Sequence, residues 1–316
     1  MKHTLKITII LIVLFLITQL FGLATISNNL EVKKTTVGGV VTTTIDHKDT
    51  VVGKPPKSDS GAQSVIILTA AILVGTAILL LLMKLKFGLL FRYWYAIAVI
   101  ITMAITFGVY ISFFGKAVNY LITFFLAIFL AYFKIKKRNM YIHNITEIFV
   151  YSGISVLLVS LFDGWLLAAF ALLIVISIYD MFAVWKSKHM IKIAKFQIES
   201  KAFAGLSIPY GPNKIEANYE ISKTFGKAKK GVRAAILGGG DIVFPLIFSG
   251  SVMLNLIQEH GFSKSLALGI TSIISLTATF ALSFLLFKGK QNKFYPAMPY
   301  LTAGCIIGYL VVLLVF

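Results

Sequence analysis

The chain has 316 residues, 58% of them hydrophobic and 13% charged, with a formal net charge of +18 and a mean hydropathy of +0.88. A water-soluble domain carries about a quarter charged residues, so this composition points to a membrane protein. The single cysteine, Cys305, excludes an internal disulfide and a thiolate metal cluster.

The first apolar run, 7–26, follows Lys2 and Lys6. It is longer than the ~7–15 residues of a signal-peptide core and is read as an uncleaved first span. Further apolar runs cover 64–83, 93–115, 118–133, 145–161, 165–185, 234–257, 265–287 and 295–316. Most approach the ~20 residues that cross the hydrocarbon core. Lipid offers no partner for backbone groups, and barrel-type alternation is absent, so all are expected to be helices. The fold class is therefore all-α and polytopic, with about nine transmembrane helices in a single membrane-embedded domain.

Basic residues set the orientation. If the spans alternate, the side holding the N-terminus carries 23 of the 30 Lys and Arg residues, and the other side carries seven. The positive-inside rule makes the first side cytoplasmic and puts the C-terminus outside, most naturally across the plasma membrane. The excess charge is thus a topology signal plus attraction to anionic lipid, and nucleic acid is not an expected partner. Residues 28–62 read as a polar outer loop. Residues 187–231 read as the main cytoplasmic loop, opening on an interfacial helix around 190–198 and otherwise mobile.

Two acids interrupt the apolar pattern: Asp180, after Tyr179, and Asp241, after Gly238, Gly239 and Gly240. An intramembrane carboxylate costs several kcal/mol unless it faces protein or water, which makes each a functional candidate. Counted along consecutive antiparallel spans, they lie about 9 and about 12 Å below the cytoplasmic surface. Two carboxylates brought together there are expected to hold one proton between them, one acting as base and one as acid. Such a pair needs neither metal nor cofactor. Tyr179 is a candidate donor beside Asp180. The three glycines admit close approach of backbone or substrate before Asp241, and Pro245 is expected to kink the span beyond it. Pro296, Ala297, Met298 and Pro299 open the last span, where the prolines disfavour a regular first turn and leave backbone groups for an extended peptide.

Other polar residues have plainer readings. Glu147 and Asp163 fall near span ends as interfacial anchors, and His143 and His189 read as solvated cytoplasmic residues. Asn144 heads a glycosylation sequon that is unused on the cytoplasmic side.

The ordered set Tyr179-Asp180, Gly238-Gly239-Gly240-Asp241 and Pro296-Ala297-Met298, on about nine spans, resembles the presenilin and signal-peptide-peptidase family of GxGD intramembrane aspartyl proteases, most of all its archaeal presenilin homologues. The resemblance implies hydrolysis of transmembrane or remnant signal peptides within the bilayer. Asp180 and Asp241 would be the catalytic pair, supported by Tyr179 and the three glycines. Pro296, Ala297 and Met298 would shape the substrate site, with Met298 in place of the family's leucine. The substrate would unwind locally and pair with a strand from the loop before Arg233. Family members include self-sufficient proteases and subunits of larger complexes. Two rivals share parts of the pattern: a prepilin-type peptidase, which also carries GxGD, and an ion- or proton-coupled transporter. A non-catalytic helix-binding scaffold is a third.

Overall fold

A computed structural model of the chain describes residues 5–37, 40–137, 139–187, 189–210, 233–289 and 295–315. Helix α1 spans Leu5–Asn29 and leads into an antiparallel hairpin of β1 (Leu30–Val37) and β2 (Val40–His47). Four helices follow: α2 (Gly61–Lys84), α3 (Gly88–Tyr110), α4 (Lys116–Lys137) and α5 (Met140–Phe162). Helix α6 (Leu166–Met181) continues into a turn of π-helix, Phe182–Ser187. Then come a short helix α7 (His189–Glu199), a second antiparallel hairpin of β3 (Gly205–Tyr210) and β4 (Arg233–Gly238), and helices α8 (Gly239–Gln258), α9 (Lys264–Lys288) and α10 (Met298–Val315). Among the described residues, nine helices are long and apolar enough to cross a membrane, all of these except α7.

Polar residues in the loops start several helices. Ser60, Asn139 and Ser263 accept the N–H groups of Gln63, Tyr141 and Leu266, satisfying donors that have no partner inside α2, α5 and α9. On the bundle's outside, large apolar side chains such as Leu167, Phe113 and Leu314 stay exposed, as a lipid solvent allows.

Helix α8 is the centre of the bundle, packed by α1, α5, α6, α9 and α10. Small residues let the helices close. A Cβ on Gly153 would strike the backbone of Thr102, so α5 meets α3 almost backbone to backbone. Gly304 and Gly308 form a Gly-x-x-x-Gly face on α10 whose Cβ positions would fall 2.9 Å from Ala278 Cα and 2.8 Å from Ile274 Cα of α9. Helix α1 is a full member of the core, with Leu11, Phe15, Leu23 and Ile26 buried.

The structure departs from the sequence expectations in its irregular segments. The polar loop 28–62 contains the β1–β2 hairpin, whose Leu30 and Ile45 turn into the core. The apolar run from residue 234 is not helical throughout. Its first residues pair with β3 as β4, and the helix begins only at Gly239, the second of the three glycines. The helix expected around 190–198 is α7, and Phe196 packs on Leu82 and Phe91 near the facing ends of α2 and α3. Pro209 belongs to β3, and the remainder of the loop expected to be mobile, 211–231, lies outside the described residues. The side chain of His189 is also outside them.

Candidate active site

Asp180 ends α6, and its position follows from two contacts with α10. Ser177 Oγ lies 2.7 Å from Thr302 Oγ1, and one turn further on Asp180 Oδ2 accepts the N–H of Met298 at 3.1 Å. Residue numbers rise on α6 as they fall on α10, so the two helices are antiparallel. Met298 is the first residue of α10, so the carboxylate caps a helix N-terminus, where unpaired N–H groups and the helix dipole favour an anion. The prolines do not disrupt this turn. Pro299 stands where an N–H would have no partner, and Leu301 N–H reaches Ala297 O at 3.1 Å. Of the backbone groups expected to serve a peptide in this segment, the Met298 N–H is taken by Asp180. The Tyr179 hydroxyl meets Thr76 Oγ1 of α2 at 3.3 Å.

Asp241 stands in the first turn of α8 rather than deep within it. The glycines before it make the turn from strand to helix. Gly239 is the constrained one, because a Cβ there would fall 2.9 Å from the Tyr151 hydroxyl. A Cβ on Gly238 would lie 3.4 Å from Asp241 Oδ2. Pro245, inside α8, has no N–H to offer the Asp241 carbonyl four residues earlier. The neighbouring carbonyl, Ile242 O, is held from outside the helix by Gln19 Nε2 of α1 at 2.7 Å.

Helix packing sets the relative depth of the two acids. At one end of the bundle, Gly164, just before α6, lies directly against the Gln258 amide at the end of α8. Further in, the rings of Phe170 and Phe248 meet at 4.8 Å, and Tyr309 of α10 packs 5.1 Å from Phe170. Helices α6 and α8 are thus antiparallel. Asp180 is 16 residues from the Gly164–Gln258 contact and Asp241 is 17, which puts them about 24 and about 26 Å along. Both are only 8% exposed. The helices α6, α8 and α10 touch pairwise, so Tyr179-Asp180, the glycines with Asp241, and Pro296-Ala297-Met298 gather at one end of one three-helix cluster.

The sequence model described as "Signal-peptide peptidase, presenilin aspartyl protease" matches residues 39–316. The chain belongs to that family. Two solved structures share its fold, both titled as a presenilin family intramembrane aspartate protease. The C222 form is 17% identical, covers 98% of this chain and 99% of its own, and has a TM-score of 0.59. The P2 form is also 17% identical, covers 97% of each chain, and has a TM-score of 0.61. No curated protein sequence matches significantly. The protein is a multi-pass membrane protease of the aspartic type. The transporter and prepilin-type readings gain no support.

Several residues read as bland in sequence are not. Glu147 is no interfacial anchor: it is fully buried, and Lys134 Nζ of α4 lies 2.5 Å from its Oε1. Lys134 sits at the end of α4, so a scan for mid-span cations passes over it. His143 is not solvated, since its Nε2 meets Gly205 O at 2.8 Å. Asn144 is buried and gives both its amide groups to Ser207, donating to Ser207 O at 2.9 Å and accepting Ser207 N–H at 3.0 Å. A signal was present: His143, Glu147 and Tyr151 recur every four residues and share one face of α5. Among the described residues, no cluster of His, Cys, Asp and Glu has the make-up of a metal site.

Proposed function

We propose that Asp180 and Asp241 are the catalytic pair of this protease, holding one proton between them and acting on transmembrane peptides. Their equal depth on antiparallel, touching helices carries the reading. The ionised carboxylate takes a proton from water as the water oxygen adds to the scissile carbonyl carbon. Its protonated partner gives a proton to the carbonyl oxygen. When the tetrahedral intermediate collapses, the C–N bond breaks, the first carboxyl protonates the leaving nitrogen, and the second recovers its proton from the intermediate's hydroxyl. Met298 N–H, fixed on Asp180, orients that carboxylate. Gly239 supports the turn that carries Asp241. Pro296 and Ala297 hold substrate beside α10.

The substrate segment unwinds and adds to β4 as a strand. The hairpin's chemistry supports this. Asn144 takes both polar groups of Ser207, so they point away from β4. Ser207 pairs with Ile236, and opposite residues of an antiparallel pair turn their polar groups the same way relative to the ladder. Ile236 thus directs its N–H and C=O to the outer edge of β4, where no strand lies among the described residues. That edge leads straight into Asp241.

The whole chain works as one membrane-embedded unit, with the N-terminus and the catalytic end of the bundle cytoplasmic, in the plasma membrane. The charge asymmetry of the loops supports this orientation.

The test is cleavage of a single-span reporter peptide by purified protein in liposomes, with Asp180→Asn and Asp241→Asn checked for folding by thermal melting. The expected result is cleavage inside the apolar segment by wild type alone. Cleavage surviving in either variant sinks the two-aspartate mechanism.

A further inference from the structure

A connected set of buried polar groups lies behind the active site and takes no part in the chemistry above. Its hub is Glu147 of α5, paired with Lys134, their side chains 1% and 2% exposed. Tyr95 of α3 donates to Glu147 Oε1 at 2.9 Å, and its hydroxyl also lies 2.8 Å from Phe203 O, just before β3. His143 stands 3.9 Å from the same Glu147 oxygen and meets Gly205 O. Asn144 pairs with Ser207 as a neighbouring strand would. On the other side, Tyr151, one turn beyond Glu147 on the same face of α5, sets its hydroxyl against Gly239, two residues before Asp241.

A buried ion pair is poor evidence of stability for its own sake, because apolar packing of similar volume does as well or better. What this one does geometrically is specific. From α5 it grips Gly205 and Ser207, along the edge of β3 that faces away from β4, and from α3 the Tyr95 hydroxyl meets Phe203 O just before that strand. From the same face of α5, Tyr151 abuts the turn that starts α8. Both ends of the β4–Asp241 connection are thereby referred to one rigid helix.

We propose that Glu147 and the groups it organises, Lys134, Tyr95, His143 and Asn144, are positioning residues that hold the β3–β4 hairpin in fixed register with Asp241, and so determine which peptide bond is cut. The proposal rests on the protease reading and on strand addition to β4. A substrate strand paired with β4 moves whenever β4 moves. The bond presented to the carboxylates is then as well defined as the hairpin's hold on α5.

Tyr95→Phe removes the hydroxyl that joins Glu147 to Phe203 while keeping the ring and the ion pair. Asn144→Leu removes the strand-like pairing with Ser207. Each is compared with wild type for the distribution of reporter cleavage positions, for rate, and for amide hydrogen exchange over 205–210 and 233–238. In folded Tyr95→Phe, the expected result is products spread over neighbouring bonds, a rate lower by about tenfold, and exchange in both strands faster by about tenfold. Asn144→Leu should act the same way more strongly. Wild-type product positions and wild-type strand protection in both variants overturn the proposal, as does a lowered melting temperature with an unchanged product pattern. A wild type that fails to cleave at all counts against the protease reading instead, and exchange still reports whether these residues hold the hairpin.

Discussion

The Asp180 carboxylate accepts the N–H of Met298 across 118 residues of sequence, at 3.1 Å. With the Ser177–Thr302 contact, this bond joins the end of α6 to the start of α10 and helps to set the direction in which the carboxylate points. Because Met298 is the first residue of α10, its N–H can be deleted without breaking a helix. Proline is well tolerated there, and Ala297 before it already lies outside the helix. Met298→Pro removes one hydrogen bond to a charged acceptor, about 1.5–3 kcal/mol. If the bond orients the carboxylate in the transition state, kcat/KM for the reporter falls about 10- to 100-fold. Met298→Ala, which loses the buried side chain and keeps the N–H, is the control. Equal rates for the two variants would show that the side chain matters and the hydrogen bond does not.

Gln19 makes a second long-range bond, from α1 to Ile242 O beside Asp241. It is the amide of a wholly buried glutamine. Gln19→Leu should cost about 1 kcal/mol of stability. It should also slow cleavage several-fold by freeing the first turn of α8, where Pro245 already leaves the helix ladder short of a donor. Thermal melting and reporter kinetics on the same preparation check both effects. A stable variant with undiminished rate would confine Gln19 to packing.

The Lys134–Glu147 pair gives a stability prediction with a sign reversal. Lys134→Met alone leaves a buried carboxylate without its counter-charge and should cost about 3–5 kcal/mol. The double variant Lys134→Met with Glu147→Gln removes the uncompensated charge and should regain most of that loss. Additive losses on melting would mean that the two side chains do not act as a pair.

The β1–β2 hairpin should respond to pH. His47 is buried on β2, and desolvation holds its imidazole below the ordinary value of 6.5, against an opposing pull from Asp163. Lys57 adds to the lowering and Asp46 to the opposition. The folded hairpin therefore keeps His47 neutral, while the unfolded segment takes up a proton near pH 6.5. Its contribution to stability is complete above that pH and is lost as pH falls through the lower folded value. Amide protection across 30–37 and 40–47, taken relative to the intrinsic exchange rate at each pH, should fall on acidification from pH 8 to pH 5, and His47→Gln should flatten the response. Exchange that follows pH identically in both proteins would remove His47 as the cause.

The amino-acid sequence by itself determined the membrane class, the number and order of the spans, and the two acids with their flanking motifs. Each of these is a local property. Hydropathy over about twenty residues decides a span, and a carboxylate inside such a run is conspicuous wherever it lies. Only the tertiary structure decided which polar groups meet. Glu147 and Asp163 looked alike near span ends, but α4 brings Lys134 to one and not to the other. Met298 looked like a free backbone group until Asp180 was placed against it. The apolar residues 234–238 read as the start of a span because nothing local distinguishes a short buried strand from a helix turn. Pairing with 205–210 made them β4. Whether a charge is buried, paired or catalytic depends on what a distant helix brings within about 3 Å of it, and the linear order of residues does not hold that distance.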